Sequence, residues 1–184
     1  MVAANDGNVS ARLPDGSILC TPTGVSKGWL REDQLPVVAL DGTTLDAGPS
    51  WQPSSEIRMH LRAYQVSDEV KAVVHAHPPY ATAFAVKGEA LICTMMPESV
   101  VAMPEILLAP YATPSTDEVP DSIEPFIRTH QGCLLEHHGA ITWAASAIFS
   151  AMVRGVPGVV NTRNRVPELP NAHEGSSRGC PVSR

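Results

Sequence analysis

Two histidines at the end of one apolar strand place the strongest constraint on this chain. The segment Val73–Pro79 reads VVHAHPP. Side chains alternate along a strand, so His75 and His77 face the same side, with Cβ atoms roughly 6.6–7 Å apart. Pro78 ends the strand because proline has no N–H to donate. The spacing therefore predicts a metal-binding pair at the mouth of a sheet, where ligands bind.

Composition limits the class of protein. A chain of 184 residues that is 43% hydrophobic is typical of one globular domain. The net charge of −6 argues against a nucleic-acid partner. We also expect no membrane segment and no secretory signal, because no apolar run has the required length or flanks. The scattered cysteines form no C-x-x-C pair, which favours a reducing cytoplasm; they are Cys20, Cys93, Cys133 and Cys180.

The hydrophobic pattern changes its period along the chain, which predicts strands followed by strands mixed with helices. Predicted strands cover residues 9–13, 18–22, 37–40, 71–77, 106–109 and 133–138. Predicted helices follow the PSSE start at residue 53 and cover 80–86, 117–130 and 140–153. Residues 154–184 are rich in Pro, Gly and Arg, which predicts a disordered tail. The order of elements indicates an α/β or α+β sheet protein.

A third candidate metal ligand lies in the segment His137-His138-Gly139, again at the end of an apolar strand. Because side chains alternate along a strand, only one of these two histidines can face the site, and the local sequence does not choose between them. Three imidazoles with one open position are typical of a catalytic zinc site. His60, His130 and His173 have no such context and are interpreted as surface or core residues.

Polar residues near helix and turn starts form a second group of candidates. Glu56 stands in the first turn of a predicted helix, where it is either a simple capping carboxylate or a base or fourth metal ligand. Three segments offer small hydroxyls and backbone N–H groups that could hold a phosphate without a basic patch. Ordinary turn chemistry is the alternative for each. The three segments are residues 7–10, 21–24 and 54–55.

Six motifs, read together and in order, carry a family resemblance. They are GNVSAR, TPTGVSKG, PSSEIRMHLRAY, AVVHAHPPYATAFAV, LAPYATPST and LLEHHGAIT. Over about residues 3–143 the chain resembles the class II aldolase/adducin family, and within it the L-fuculose-phosphate aldolase group. The resemblance implies a three-layer α/β/α fold with a central, mainly antiparallel sheet, forming a domain over residues 1–153. It also implies one zinc ion per subunit, held by His75, His77 and His138.

The same resemblance implies an enzymatic function. Glu56 takes the place of the catalytic glutamate. The implied reaction cleaves a phosphorylated ketose, such as L-fuculose 1-phosphate, to dihydroxyacetone phosphate and an aldehyde, with zinc stabilising the enediolate. No lysine Schiff base is needed. The family assembles as homotetramers. The implied phosphate-binding residues are Asn8, Thr23, Gly24, Ser54 and Ser55.

Other functions of the family remain open at this point. The alternatives are a zinc sugar-phosphate epimerase, dehydratase or decarboxylase, and an inactive fragment that acts only as a binding domain. Two segments typical of the family have no match: a helix before the GN strand and a long helix after residue 143. Our hypothesis is a gene fragment with a late start and a frameshift near residue 144. Tyr80 and Tyr111 are interpreted as structural, so the proton donor is unassigned.

Overall fold

An eight-stranded sheet organises the chain, and the computed structural model describes residues 7–48, 50–92, 94 and 97–145. The strands are β1 Asn8–Arg12, β2 Ile18–Cys20, β3 Val37–Val38, β4 Thr44–Asp46, β5 Ala72–Ala76, β6 Leu91–Ile92, β7 Glu105–Ile106, β8 Leu108–Ala109, β9 Gly132–Leu135 and β10 Gly139–Ala144. The helices are α1 Ile57–Val66, α2 Pro79–Lys87, α3 Pro97–Ala102 and α4 Glu118–Ile127. None of these helices has the length and apolar character needed to span a bilayer.

The sheet places β5 at its centre. Its strand order is β4-β3-β2-β1-β5-β10-β9-β8, and every pair is antiparallel except the parallel pair β8 and β9. The registers on the two sides of β5 set Asn8 and Ile141 directly opposite His75. Residues opposite each other across antiparallel strands have Cβ atoms about 4.5–5.5 Å apart. The polar end of β5 therefore has β1 and β10 as its immediate neighbours.

Helices cover both faces of the sheet, which confirms the predicted three-layer α/β/α fold. On one face α1 and α4 pack against each other and over a buried cluster that includes Val73, Ile141 and Trp143. On the other face Ala81 and Ala85 of α2 pack against Leu134. Salt bridges from Arg62 to α4 are solvent-exposed on their acidic side and contribute little, so apolar burial holds the layers together.

Most predicted elements are present with shifted ends. The hairpin of β1 and β2, helix α1, strand β5 and helix α2 are confirmed. The predicted strand over residues 106–109 is divided between two sheets, because β7 pairs with β6 whereas β8 pairs with β9. The helix predicted over 117–130 ends at Ile127, and the strand predicted over 133–138 ends at Leu135. Local patterns locate elements better than their ends.

The predicted helix over residues 140–153 is wrong in its described part. Gly139–Ala144 is strand β10, which pairs with β5 on one side and β9 on the other. Its sequence GAITWA contains β-branched and aromatic residues, which favour a strand when a sheet offers partners on both sides. Residues 146–153 of that prediction, and the predicted tail over 154–184, lie outside the described residues. The domain boundary at residue 153 stays a prediction.

The connection between β9 and β10 is a tight turn with one unusual backbone. His137 has φ 56°, in the left-handed region that L-residues with a side chain rarely adopt. Its N–H donates to the Ala85 carbonyl at 3.1 Å, and the His138 N–H donates to the Leu135 carbonyl at 3.0 Å. The turn exposes His137 and leaves His138 half-buried. It therefore decides which of the two neighbouring histidines points inward.

This backbone predicts a difference between two substitutions of similar size. Asn tolerates the left-handed region, whereas the β-branched Val does not. We expect His137→Asn to change the free energy of unfolding little and His137→Val to lower it by about 1–2 kcal/mol. Urea unfolding of the metal-free proteins at pH 7 measures both. Equal midpoints for the two variants would show that this backbone carries no strain.

Candidate metal centre and active site

Three histidine rings converge where β5 ends and β10 begins. The ring centroid of His75 lies 4.7 Å from that of His77 and 4.8 Å from that of His138, and the third separation is 5.0 Å. One ring nitrogen from each residue lies within 4.8 Å of the other two. Of the two histidines that the sequence left open, His138 joins the cluster and the exposed His137 does not.

The sheet and one glycine make this convergence possible. Ala76 of β5 pairs with Ala140 of β10, so the residues just beyond both strands are neighbours. Gly139 directly follows His138 and is the first residue of β10. A Cβ there would be 2.5 Å from the His77 ring and 2.8 Å from the Ala76 carbonyl oxygen. Such contacts are too short for any side chain. Glycine at this position therefore lets the His77 ring lie against the backbone of the turn.

His75 is held in one orientation by its surroundings. The side chain is buried, and Nδ1 donates to the Ala140 carbonyl at 2.9 Å, a role assigned because a carbonyl can only accept. This leaves Nε2 as the lone-pair nitrogen, 2.9 Å from Nε2 of His77. Burial lowers the pKa of His75, so the imidazole is neutral at pH 7. A neutral ring whose second nitrogen is fixed by a carbonyl is the usual form of a metal-ligating histidine.

The donor set fits a divalent transition metal. In a tetrahedral site with Zn–N bonds of about 2.0–2.1 Å, ligand nitrogens lie about 3.3 Å apart. The separations within the cluster, 2.9 Å for one pair and no more than 4.8 Å for any, bracket that distance. His75, His77 and His138 would hold the ion. Imidazole ligands with an oxygen donor nearby suit zinc, although other first-row metals share this preference.

Glu56 lies beside the three rings. It immediately precedes α1, makes no capping hydrogen bond with its side chain, and directs its carboxylate toward the histidines. Oε1 lies 3.0 Å from Nε2 of His138, and Oε2 lies 3.4 Å from Nε2 of His75. Asn8 Nδ2 donates to Oε2 at 2.9 Å. The structure shows no capping hydrogen bond from this side chain, and its role as a base or metal ligand stays a prediction.

The environment keeps this carboxylate ionised. Burial by itself raises the pKa of Glu56, but the hydrogen bond with His138, the electrostatic interaction with the neighbouring imidazoles and the Asn8 amide together lower it below its ordinary value. At neutral pH the group is therefore a carboxylate, which can accept a proton or complete a metal's coordination.

The predicted phosphate-binding residues lie in strand β1 and in two adjoining segments near Glu56. The Thr23 N–H donates to the Gln52 carbonyl at 2.9 Å, and the Ser54 N–H donates to the Thr21 carbonyl at 3.2 Å. Asn8 is buried and donates to Ser54 Oγ at 3.1 Å as well as to Glu56. Three others are exposed: Thr23, Gly24 and Ser55. The structure brings all five together, and their role toward phosphate stays a prediction.

A buried polar group behind Glu56 is missing from the candidates found by sequence. His60, which we interpreted as an ordinary surface or core histidine, is buried, and its Nδ1 lies 2.7 Å from Ser10 Oγ. Ser10 Oγ also lies 2.8 Å from the Tyr64 hydroxyl. The four-residue spacing of Glu56, His60 and Tyr64 on one helix face was the available signal.

A cavity in the described part of the chain lies away from these residues. It has a volume of about 930 Å³ and lies between the last turns of α1 and α4 and the end of β10, lined by residues such as Ser67, Ile127 and Ala144. Because β5 begins and β10 ends there, it is at the opposite end of these strands from the histidines. It contains none of the candidate site residues.

Several known proteins are similar to this chain in sequence and fold. Residues 1–153 match the family model described as class II aldolase and adducin N-terminal domain. The chain is 33% identical over 144 residues to the 3-oxo-tetronate 4-phosphate decarboxylase of Escherichia coli, covering 76% of this chain and 66% of that protein. It is 32% identical over 142 residues to the L-fuculose phosphate aldolase of Methanococcus maripaludis, covering 77% and 74% respectively. The chain thus spans about two thirds to three quarters of these curated relatives.

Solved structures agree with the fold. The crystal structure of YgbL from Escherichia coli, a candidate aldolase/epimerase/decarboxylase, superposes with a TM-score of 0.71 at 29% identity, covering 82% of this chain and 73% of that one. L-fuculose-1-phosphate aldolase from Thermus thermophilus gives 0.68 at 29% identity, covering 79% and 71%. The match over residues 1–153, the identity to curated members and the shared architecture establish that this chain belongs to the class II aldolase and adducin N-terminal domain family.

Proposed function

We propose that this protein is a metal-dependent lyase that cleaves a carbon–carbon bond in a phosphorylated sugar. The observation that supports this most is the Glu56 carboxylate, 3.0 Å from His138 within a cluster of three histidines. A carboxylate and an open metal position side by side are the groups that such a cleavage requires. By resemblance we also propose zinc as the ion, a homotetramer as the assembly and the cytoplasm as the location.

Two reactions named among the relatives share their chemistry. Cleavage of L-fuculose 1-phosphate between C3 and C4 leaves the bonding electron pair on a carbon next to the ketone and releases an aldehyde. Decarboxylation of 3-oxo-tetronate 4-phosphate leaves the pair on the equivalent carbon and releases carbon dioxide. Protonation of that carbon gives dihydroxyacetone phosphate in both cases. One site therefore serves either reaction if it stabilises this electron pair and accommodates the departing fragment.

Glu56 is the residue that we propose moves the proton. An ionised carboxylate can accept the hydroxyl proton that aldol cleavage releases and, once protonated, return it to the electron-rich carbon. A metal ion, when bound by the three histidines, supplies Lewis-acid polarisation of the substrate oxygens. The Asn8 amide keeps one Glu56 oxygen in place. The segments at residues 23–24 and 54–55 would bind the phosphate and so orient the reacting carbon.

The aldolase reaction is our first candidate and the decarboxylase reaction our second. The second is favoured by the 33% identity to the Escherichia coli decarboxylase. The two differ in proton balance: aldol cleavage moves a proton from oxygen to carbon within the reaction, whereas decarboxylation takes one up from solvent. An epimerase, a dehydratase and a binding domain without activity are the remaining alternatives, and none of them produces dihydroxyacetone phosphate.

Paired assays test the proposed function. With zinc present, we expect dihydroxyacetone phosphate from at least one of L-fuculose 1-phosphate and 3-oxo-tetronate 4-phosphate, measured by coupled reduction of the product. Lactaldehyde without net proton uptake identifies the aldolase, and carbon dioxide with uptake of one proton per turnover identifies the decarboxylase. EDTA should abolish the activity and zinc should restore it. Zinc-loaded protein that releases no dihydroxyacetone phosphate from either substrate would contradict the proposal.

The metal site makes a separate prediction. His77 and His138 are half-buried, so their replacement disturbs the core less than replacement of His75. We expect His77→Ala and His138→Ala each to retain less than about a tenth of the wild-type zinc after desalting, because a three-histidine site loses one of its ligands. His130→Ala, which removes a histidine outside the cluster, is the control and should bind zinc normally. Elemental analysis measures all three, and normal zinc content in both ligand variants would exclude this site.

Glu56 should matter for turnover more than for folding. Glu56→Gln preserves the shape and the Asn8 contact but removes the charge that accepts a proton. We expect kcat to fall by about 10²–10⁴-fold with the protein still folded. Glu89→Gln, at an exposed position paired with Lys87, is the control and should keep wild-type kcat. A Glu56→Gln enzyme within threefold of wild type would assign the proton transfer elsewhere.

A further inference from the structure

Strand β1 and helix α1 meet through a row of polar pairs rather than apolar ones. Every second residue of the strand contributes a polar side chain, and so does every fourth residue from Glu56, just before the helix, to Asp68, just after it. We call this row the β1–α1 polar ladder. Its members are Asn8, Ser10 and Arg12 on the strand side and Glu56, His60, Tyr64 and Asp68 on the helix side.

The ladder has three rungs. Asn8 holds the Glu56 carboxylate at 2.9 Å. In the middle rung, Ser10 Oγ lies 2.7 Å from His60 Nδ1 and 2.8 Å from the Tyr64 hydroxyl, and all three side chains are buried. At the far end the Arg12 guanidinium donates to the Tyr64 carbonyl oxygen and lies 5.3 Å above the Tyr64 ring.

The spacing of the rungs specifies the position of the helix along the strand. Two residues of a strand rise about 6.6 Å and four residues of an α-helix rise about 6.0 Å, so successive rungs stay aligned. Shifting α1 by one residue turns its side chains by about 100° and breaks every rung together. Apolar contacts alone are not directional and would permit small slides and rotations of the helix.

The buried polar groups of the middle rung stabilise the core less than apolar side chains would. A hydrogen bond inside a protein contributes modestly, and buried polar atoms left without a partner are destabilising. Within the described part of the chain, His60 Nε2 and Asn8 Oδ1 are both buried and have no partner. An apolar residue in place of His60 would avoid this penalty. The rung therefore has a use other than maximal stability.

The position of α1 determines where the Glu56 carboxylate lies. Glu56 stands one residue before α1, so its carboxylate moves with the first turn of the helix. Its contacts with His138 at 3.0 Å and His75 at 3.4 Å leave little tolerance for a slide. The middle rung is one helical turn away on the same face.

We infer that Ser10 and His60 are positioning residues, which hold α1 so that the Glu56 carboxylate lies over the three-histidine cluster. The inference deepens the proposed function, since it assigns residues that act through Glu56 and touch neither substrate nor metal. The loss of the rung should therefore weaken whatever Glu56 contributes to the metal site. It should do nothing when Glu56 has already been replaced.

A double-mutant cycle on metal affinity tests this. We expect His60→Leu to weaken zinc binding about tenfold in the wild-type background, in line with other residues that orient ligands indirectly, and less than about twofold in the Glu56→Gln background. A chromophoric zinc chelator in competition with the protein measures the four dissociation constants. Equal weakening in both backgrounds, or none in the wild-type background, would overturn the inference. Because this measurement needs no turnover, it stands even if the enzyme proves to catalyse a different reaction.

Two further variants separate positioning from folding. His60→Asn places an amide where Nδ1 stood and should keep the Ser10 contact, so we expect zinc affinity within threefold of wild type. Ser10→Ala should weaken zinc binding as His60→Leu does, which provides a second cycle if His60→Leu fails to fold. Ile123→Val, a buried substitution on α4 outside the ladder, should lower the urea midpoint without changing zinc affinity. If it weakens zinc binding as much as Ser10→Ala does, general destabilisation explains the effect and the inference fails.

Discussion

The antiparallel pairing of β5 with β1 on one side and β10 on the other is the interaction on which the site depends. Asn8 and Ile141 face His75 across these two pairings. The pairing with β1 brings the Asn8 amide to the three-histidine cluster, and the pairing with β10 brings His138 to the end of β5. Backbone hydrogen bonds thus assemble a polar cluster from segments that are more than sixty residues apart in sequence.

The residues of the polar cluster fix one another's protonation state and orientation. Burial keeps His75 neutral, and a backbone carbonyl fixes which of its nitrogens faces the centre. Contacts with His138 and Asn8 keep Glu56 ionised despite its own burial. A buried charge without such partners would be costly. A neutral His75 next to an ionised Glu56 also provides the protonation states that metal binding and proton transfer require.

Much of the fold was predictable because its signals are local. The alternating residues of β1, the PSSE start of α1 and the proline after β5 each report the structure of their own segment. Strand β10 was not predictable in this way, because GAITWA becomes a strand only through its partners β5 and β9. The division between β7 and β8 had the same cause, since two dipeptides joined to different sheets carry no separate sequence pattern.

The sequence by itself determined which residue types are present and where strands end: two histidines before a proline, a second histidine pair before a glycine, and a glutamate at a helix start. Resemblance to a family singled out His138, but residue periodicity could not. Tertiary structure selected His138 through the left-handed backbone of His137. It also gave His60 its partner Ser10, because α1 packs against β1. The physical reason is that side-chain direction follows local geometry, whereas the partners that give a side chain its chemistry come from distant segments.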